Sequence, residues 1–306
     1  ETLQRFVGGI REFVEENGLD GVEIDWEYPN AGSAEAYERL ILALHEQLSP
    51  MGVTLSAAVA GAGSVNTQAE SVQSLSETAL AHLDWINIMA YDLGGGQHSP
   101  YWFSDVSIQY WKKRGVPADR IVVGIPLYAR PSWKQYRHLV AMDPANAYLD
   151  YVPGDKLDSY YNGLNLIRQK TRLALNKAGG IMFFDIQEDT HDETSALTAA
   201  LDMMQRYEQY RLGDYFIVVD NRELLYVPEE KLGMPYQDDQ NRVQIPVRKA
   251  LEAIGAAIEY DHASRTITAI REETTVRIRI GSELLEVNGN LVTMDTVAAV
   301  QDDRAY

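Results

Sequence analysis

The strongest constraint on the fold is a regular alternation of short apolar runs with amphipathic stretches over the first two hundred residues. The apolar runs predict strands at 21–26, 53–59, 85–91, 121–128 and 180–186. The amphipathic stretches predict helices at 34–48, 71–83, 105–114, 164–177 and 193–210, with another at the start of the chain. Because a strand followed by a helix reaches a parallel neighbour through a right-handed crossover, this order predicts an α/β fold with a parallel sheet.

Polar residues gather at the C-terminal ends of these runs, where a (β/α)8 TIM barrel carries its active site. Such a barrel needs eight strands, whereas the alternation supplies only five, and the chain opens inside a helix. We therefore expect a (β/α)8 TIM barrel that lacks its first three strand–helix units. An open barrel exposes two strand edges, so we expect this 306-residue piece on its own to be inactive, unstable or oligomeric.

The pattern changes near residue 213, which places one domain at 1–212 and a second at 213–306. Short β-branched runs divided by Gly and Asn turns predict strands at 216–219, 222–227, 257–260, 266–270, 275–280 and 283–287. One helix is predicted at 246–254. The second domain is thus expected to be a small, β-rich α+β domain, truncated where the chain ends at Tyr306.

Composition narrows the function classes. The chain has 45 acidic and 27 basic residues, and its formal net charge of -18 disfavours nucleic acid and anionic membrane surfaces as partners. It has no cysteine, which excludes disulfides, thiolate metal sites and a cysteine nucleophile. No apolar run approaches the roughly 18 residues of a membrane span. The 6 histidines are scattered and match no metal-binding spacing, so no metal site is expected.

The segment 19–29 carries the clearest chemical signal. On a strand, side chains alternate between faces, so Glu23, Asp25 and Glu27 point one way and the apolar residues between them point the other. Like charges at close range raise the pKa of at least one carboxyl, and a carboxyl protonated near neutral pH can act as a general acid. The alternative is a solvated acidic strand edge, but alternation with large apolar residues favours a strand buried on both faces.

The same segment resembles the DxxDxDxE signature of glycoside hydrolase family 18, the chitinases and endo-β-N-acetylglucosaminidases. Asp20, Asp25 and Glu27 match the signature, and Glu23 stands where the family usually has Asp. The resemblance implies that Glu27 is the catalytic acid and that Asp25 orients the acetamido group of the substrate. Glu23 belongs to the implied substrate-binding set, although its side chain is one carbon longer than the family pattern.

Residues 84–92 are similar to the sixth strand of that family, with its MxYD ending. The resemblance implies that the Tyr91 hydroxyl steadies the reacting acetamido group, while Met89 and Asp92 line the sugar subsite. Without the resemblance, a Met and a Tyr on a strand would more often belong to the protein core.

Two more segments continue the resemblance. Residues 124–130 are similar to the seventh strand, which makes Tyr128 and Arg130 candidate sugar contacts, with structural roles as the alternative. Residues 179–185 are similar to the eighth strand, and Phe184 takes the place of the Trp that usually floors the sugar subsite. The resemblance covers roughly the first 210 residues and identifies the visible strands as the fourth to the eighth.

The resemblance implies a retaining glycoside hydrolase that cleaves β-1,4 bonds next to N-acetylglucosamine by substrate-assisted catalysis, without a metal or cofactor. Its substrates would be chitin, peptidoglycan-type glycans or N-glycan cores. The alternative is a noncatalytic, lectin-like protein that binds chitin or related glycans on the same barrel. The presence of Glu27, Asp25 and Tyr91 favours the enzyme.

The second domain resembles the copper amine oxidase N-terminal-like domain at residues 216–221, 241–248, 251–256 and 287–289. This resemblance implies a secreted or cell-surface protein, of a Gram-positive bacterium, in which the domain is a spacer or attaches to the cell wall. Direct polysaccharide binding is the alternative. Because His262 is its one histidine, no copper site is expected. Residues 302–306 resemble the start of another turn of the same module.

Two other features have open interpretations. The aromatic residues 101–103 and Trp111 would either extend a sugar-binding surface or belong to the core. The glycines at 94–96 lack the Lys and the helix start of a phosphate-binding loop, so a flexible loop beside the sugar cleft is the better interpretation.

Overall fold

The computed structural model describes residues 1–210, 212, 215–301 and 304–306. They form two compact units, Glu1–Gln205 and Arg206–Tyr306. Gly213, where we place the start of the second domain, lies outside the described residues, as do residues 302 and 303 of the module turn expected at the end of the chain. The exact domain boundary and that turn therefore stay predictions.

The elements of the first unit follow the predicted alternation. The helices that begin in it are α1 Thr2–Asn17, α2 Ala34–Leu48, α3 Glu70–Gln73, α4 Glu77–Ala81, α5 Tyr101–Lys113, α6 Tyr136–Met142, α7 Leu164–Lys177 and α8 Ala196–Tyr210. The strands are β1 Gly21–Asp25, β2 Thr54–Ala60, β3 Trp85–Met89, β4 Ile121–Pro126, β5 Arg130–Pro131, β6 Tyr151–Val152, β7 Ser159–Tyr160 and β8 Gly180–Phe184.

The central element is a sheet of five strands in the order β1-β2-β3-β4-β8. Each pair of neighbours is parallel, with registers such as Asp25 opposite Ala58 and Gly124 opposite Met182. The predicted parallel sheet is therefore confirmed, and its strands correspond to the five predicted apolar runs. Within the part of the chain that the structure describes, β1 and β8 are the edges of this sheet.

The two faces of the sheet have different chemistry. Leu55, Ala57 and Val59 of β2 are buried on one face, together with apolar residues of α2 and α5. Val22, Ile24 and Trp26 pack against this same core, as their alternation with acidic residues predicts. Because side chains alternate along a strand, Glu23, Asp25 and their register partners lie on the opposite face. Candidate site residues thus share the face that the helices leave open.

One predicted helix is wrong. The stretch 71–83 forms two short helices, α3 and α4, rather than one. The Ser76 hydroxyl accepts a hydrogen bond from the Ala79 backbone N–H at 3.0 Å and so caps the start of α4. A serine side chain that bonds nearby backbone favours a helix start over a helix interior, which breaks the stretch in two.

The segment between β4 and α7 contains structure that the sequence pattern did not predict. It forms helix α6 and a three-stranded antiparallel sheet in the order β5-β7-β6. Its strands are two residues long, which is too short for a period of two to be visible in the sequence. This insertion follows directly on Tyr128 and Arg130, so it borders the candidate site.

The second unit is a small β-rich module, as predicted. Its elements are β9 Val218–Val219, β10 Arg222–Glu223, β11 Tyr236–Gln237, β12 Val243–Gln244, α9 Val247–Ala253, β13 Ala257–Asp261, β14 Thr266–Arg271, β15 Thr274–Arg279, β16 Leu284–Val287, β17 Asn290–Thr293, β18 Val300–Gln301 and β19 Arg304–Ala305. β13 to β17 form an antiparallel meander in chain order. The predicted strand 222–227 is shorter than expected, since only Arg222–Glu223 is extended and paired.

Glycine at 124 leaves room for the candidate site. A Cβ there would lie 2.5 Å from the Ile88 carbonyl oxygen and 2.8 Å from Cε1 of Tyr91. Real Cβ atoms do not approach backbone oxygen this closely, so a larger residue must displace β3 or the Tyr91 ring. At Gly180, on neighbouring β8, a Cβ would meet only Val122 Cγ2, at 3.9 Å.

We expect Gly124→Ala to lower the free energy of unfolding by about 1–3 kcal/mol, the usual cost of overpacking. Gly180→Ala is the matched control and should leave stability unchanged or slightly raised, because it adds no clash and reduces the entropy of the unfolded chain. Urea unfolding followed by tyrosine and tryptophan fluorescence measures both variants. Equal stabilities of the two variants would contradict the packing argument.

Candidate active site

Glu23 is the carboxylate of β1 that is bound by neighbouring strands. Glu23 is anchored across the sheet: its Oε2 accepts hydrogen bonds from Ser56 Oγ at 3.0 Å and from Asn87 Nδ2 at 2.5 Å. Both partners are buried and lie on β2 and β3. The longer side chain of Glu23 is therefore used to span two neighbouring strands.

The expectation that β1 is buried on both faces is wrong. Glu23, Asp25 and Glu27 are exposed, although the apolar residues between them pack against the core. The reason is that β1 is an edge strand of the sheet, with a hydrogen-bonded neighbour on one side within the described residues. The peptide bond between Glu27 and Tyr28 is cis, as is that between Phe184 and Asp185.

Tyr91 lies among the acidic residues that the sequence singled out. Burial raises the pKa of its hydroxyl, and the charges of Glu27, Asp25 and Asp92 raise it further. The structure therefore brings the end of β1 and the end of β3 together around one phenol. Because the hydroxyl stays protonated, it can donate a hydrogen bond to an oxygen placed between it and the carboxylates.

Tyr28 is a site residue that the sequence reasoning missed. Burial raises the pKa of its hydroxyl to about 12, with further contributions from the charge of Glu27 and a hydrogen bond to its carboxylate. The ring is 41% exposed, so it stands at the open side of the site next to Glu27. Its position directly after the DxxDxDxE segment was the available signal.

Asp92 is bound by two side chains, Tyr128 and Arg130. Its Oδ1 accepts hydrogen bonds from Tyr128 Oη at 2.8 Å and Arg130 Nε at 2.7 Å, and its Oδ2 lies 2.7 Å from Arg130 Nη2. Burial alone would raise the pKa of this carboxyl, but the bonds from Arg130 and Tyr128 hold it below its usual value. The bidentate pair joins the end of β3 to the chain just after β4.

His98 is a buried residue that binds the backbone of Asp92. It is 1% exposed, and its Nδ1 accepts a hydrogen bond from the Asp92 backbone N–H at 3.2 Å, while Nε2 lies 3.2 Å from the Tyr128 carbonyl oxygen. These partners fit the neutral tautomer with the proton on Nε2. Both ring nitrogens of His98 thus have partners in the fold, and the sequence did not indicate this contact with the site.

Aromatic rings line the site beside these polar groups. The Phe184 ring is parallel to that of Tyr91, with centroids 6.1 Å apart, and remains 53% exposed. Tyr128 meets both rings edge to face, at 6.2 and 6.3 Å. Met89 is buried at the end of β3. The candidate site residues named from the sequence lie at or just after the C-terminal ends of the strands, or on the sheet face that carries Glu23 and Asp25.

Trp133 is a second residue that the sequence reasoning missed. It is 61% exposed, its ring stacks on Tyr128 with centroids 5.5 Å apart, and the Arg130 guanidinium carbon lies 3.3 Å from its ring centroid. It belongs to the unpredicted insertion. By contrast, Trp111 and Phe103 are buried in the core, whereas Trp102 is 48% exposed.

No group of three or more His, Asp or Glu residues in the described ranges is arranged to hold a metal ion. His262 contacts the Tyr260 ring edge to face at 4.8 Å, and its region of the sequence offers no second histidine or cysteine for a copper ion. No described helix is both long enough and apolar enough to cross a membrane.

We expect acid to destabilise the fold through His98. Burial lowers the pKa of His98 from 6.5 to about 4. Between these pH values the unfolded chain binds a proton that the folded chain does not, so the free energy of unfolding falls as the pH falls through this window. His98→Gln retains a neutral donor and acceptor, and its stability should therefore fall less steeply.

Urea unfolding at several pH values between 7 and 4 measures this difference. His191→Gln, at an exposed histidine, is the matched control and should follow the wild-type slope. Parallel curves for the wild type and His98→Gln would contradict the assignment.

Comparisons with known proteins agree with this geometry. Residues 1–189 match the model of "Glycosyl hydrolases family 18", and residues 211–306 match that of "Copper amine oxidase N-terminal domain". Both resemblances inferred from the sequence are therefore confirmed.

Curated relatives include probable chitinase 10 of Drosophila melanogaster and the endochitinase of Brugia malayi. The first is 32% identical in an alignment of length 152 that covers 41% of this chain and 6% of that protein. The second is 30% identical in an alignment of length 156 that covers 42% of this chain and 30% of that protein. The chain thus spans less than a third of the length of either relative.

Among solved structures, a family 18 chitinase from the chitin utilization locus of Flavobacterium johnsoniae is 28% identical. Its TM-score is 0.57, over 65% of this chain and 64% of that one. A class V chitinase mutant of Cycas revoluta in complex with (GlcNAc)3 is 20% identical, with a TM-score of 0.59 over 66% of this chain and 73% of that one. These likenesses show a TIM-barrel-like α/β fold for the first unit, while the number of absent barrel units stays a prediction.

The family match covers more than half of the chain, and the ordered strands place the residues of its signature at one end of a parallel sheet. The chain therefore belongs to family 18 of the glycosyl hydrolases.

Proposed function

We propose that this protein is a retaining glycoside hydrolase that cleaves β-1,4 bonds next to N-acetylglucosamine, in chitin or a related glycan, by substrate-assisted catalysis. The observation that carries the proposal is that Glu27, Asp25 and Asp92 lie close enough to Tyr91 for the charge of each to raise the pKa of its half-buried hydroxyl. The group provides one carboxyl for proton transfer, a second for orienting the substrate and a neutral phenol donor.

In the first step, the acetamido oxygen of the substrate attacks the anomeric carbon while Glu27 donates its proton to the leaving glycosidic oxygen. The bond to the leaving group breaks and an oxazolinium ion forms. Asp25 and Tyr91 hold the acetamido group through its N–H and its oxygen, which stabilises the charge that develops on the ring. The second carboxylate of an ordinary retaining glycosidase is replaced by the substrate itself.

In the second step, Glu27 takes a proton from water as the water attacks the anomeric carbon and opens the oxazolinium ion. Two inversions at that carbon give overall retention. Glu27 is exposed and so can reach both a leaving sugar and solvent water. The mechanism requires a 2-acetamido sugar on the nonreducing side of the scissile bond.

The rings around the site suit a sugar substrate. Phe184 offers an exposed face beside Tyr91, and Trp133 offers another beside Arg130. Aromatic faces pack against the apolar faces of pyranose rings, while Asp92 and Arg130 can bond the hydroxyls at their edges. Among the relatives, several bear the name chitinase, and one solved relative was crystallised with (GlcNAc)3.

The alternative is a noncatalytic glycan-binding protein. The departures from the family pattern at Glu23 and Phe184 leave this function open. A relative whose name is not that of an enzyme also supports it. This relative is the oviduct-specific glycoprotein of Mesocricetus auratus, 28% identical over an alignment of length 154. Hydrolysis of a fluorogenic chitotriose substrate by the complete-length protein separates the two functions. Binding without turnover would favour the lectin-like protein, whereas release of the fluorophore would favour the hydrolase.

For the second unit we propose a role outside the cell, as a spacer or an attachment to the cell wall of a Gram-positive bacterium. The match to a copper amine oxidase N-terminal domain supports a separate accessory module. Pull-down of the protein with purified cell walls, with and without residues 211–306, tests the attachment.

In the intact enzyme we expect Glu27→Gln to lower turnover about 10²-fold or more while leaving glycan affinity within about twofold, as loss of a general acid does. Glu35→Gln is the matched control, because it removes an exposed carboxylate of α2 that pairs with Arg39. Initial rates on the fluorogenic substrate and titration with chitotriose measure the two effects. Wild-type turnover by Glu27→Gln would remove Glu27 from this role.

We also expect Phe184→Ala to weaken glycan binding about threefold to tenfold, the size of one aromatic contact. Phe184→Trp should bind more tightly than the wild type, since the larger ring covers more of a sugar face. Phe6→Ala is the control, because Phe6 is 54% exposed, close to the 53% of Phe184, but lies on α1. Unchanged affinity in Phe184→Ala would contradict a sugar contact at this ring.

A further inference from the structure

A lysine is completely buried behind the candidate site. Lys170, on α7, is 0% exposed. Its Nζ donates hydrogen bonds to the Ser99 carbonyl oxygen at 2.7 Å, to Ser99 Oγ at 2.6 Å and to Asn162 Oδ1 at 2.6 Å. A buried amine is costly unless its donors are satisfied, so this arrangement needs a reason beyond core packing.

The three acceptors match the three N–H bonds of an ammonium group. Ser99 Oγ donates its own proton to the Ala90 carbonyl oxygen at 2.7 Å, which leaves its lone pairs for Lys170. The side-chain N–H of Asn162 donates to the Ser99 carbonyl oxygen at 3.1 Å, which orients its Oδ1 toward Lys170. Ser99 and Asn162 thus each accept a bond from Lys170 and donate one to a backbone carbonyl oxygen.

The network connects directly to the site. Ala90, whose carbonyl oxygen is bound by Ser99, precedes Tyr91 in the chain. His98, which precedes Ser99, contacts the backbone of Asp92 and of Tyr128. The segment 90–99 is therefore held at both ends, with the Leu93 N–H donating to the His98 carbonyl oxygen at 2.9 Å to close the loop.

Two titratable groups on which the charge of Lys170 acts are Asp150 and His98. Burial lowers the pKa of Lys170 to about 7, and the charge of Asp150 opposes that shift. The Asp150 carboxylate is itself held by the Gly163 N–H at 2.8 Å. Asp150 and Asn162 lie in the segment between β4 and α7. Because Lys170 binds both Asn162 and Ser99, it also connects that segment to segment 90–99.

We propose that Lys170 is a positioning residue of the candidate active site, which fixes segment 90–99 and thereby places the Tyr91 hydroxyl and the Asp92 carboxylate. The proposal rests on the proposed function for its kinetic consequences only. Its structural consequence, the order of residues 90–99, is measurable whether or not the protein is a hydrolase.

Lys170→Met is the test variant, because it retains an unbranched side chain and removes all three donors. Hydrogen exchange should become faster in residues 90–99 by about tenfold or more, with exchange in α1, α2 and β2 unchanged. With a fluorogenic chitotriose substrate, kcat should fall about tenfold or more with KM nearly constant, because misplaced reacting groups cost transition-state stabilisation. Lys156→Met, at an exposed lysine of the insertion, should match the wild type in both measurements.

Ser99→Ala keeps the proposal testable if Lys170→Met fails to fold. It removes one acceptor of Lys170 and the bond to Ala90 while leaving the Ser99 carbonyl oxygen in place. It should show the same local increase in exchange at residues 90–99, of smaller size. Where both single variants fold, the kinetic losses of the double variant should be smaller than their product, since both act on one network.

Two outcomes would overturn the proposal. The first is a wild-type rate of hydrogen exchange at residues 90–99 in both variants. The second is a faster hydrogen exchange spread evenly over the first unit, which would mean that Lys170 is purely structural. Increased local exchange without any turnover by the wild type would instead leave the positioning role intact and count against the proposed hydrolase function.

Discussion

The candidate site depends on the carboxylate of Asp92. Asp92 is the point at which β3, β4 and the loop between β3 and α5 are joined, through Tyr128, Arg130 and His98. A bidentate guanidinium–carboxylate pair fixes both distance and plane, which a single hydrogen bond does not. The rings of Tyr91, Tyr128 and Phe184 then pack around these fixed positions. This junction fixes the side chains that follow β3 relative to those that follow β4.

Support for the site comes in layers from increasingly buried groups. Glu23 is exposed, but buried Ser56 and Asn87 bind its carboxylate. The backbone of Asp92 is bound by buried His98. The residue after His98 is Ser99, which binds buried Lys170. Each buried group in these layers makes at least one hydrogen bond, as a polar network inside a protein requires. The exposed groups, Glu27 and Phe184 among them, are those that a ligand would contact.

Much of the fold could be predicted because its signals are local. The five strands of the main sheet and helices α2 and α7 follow from apolar periodicity, and the turn at Asn288 and Gly289 follows from its residue types, both with positive φ. The insertion could not be predicted, since two-residue strands and the seven-residue helix α6 are held by contacts outside themselves. Trp133, His98 and Lys170 were missed as site residues for the same reason: their roles depend on neighbours distant in sequence.

By itself the sequence determined the order of strands and helices and the resemblance to family 18. It also determined that Glu23, Asp25 and Glu27 point to one face of the sheet. Alternation and motif spacing are properties of consecutive residues, so both can be found without a structure. Only the tertiary structure decided that these carboxylates are exposed, that Tyr91 lies within the field of three of the acidic residues, and that a lysine on α7 reaches the loop after β3. Burial and electrostatic environment are set by which distant segments pack together, and the parallel sheet is what brings those segments to one end.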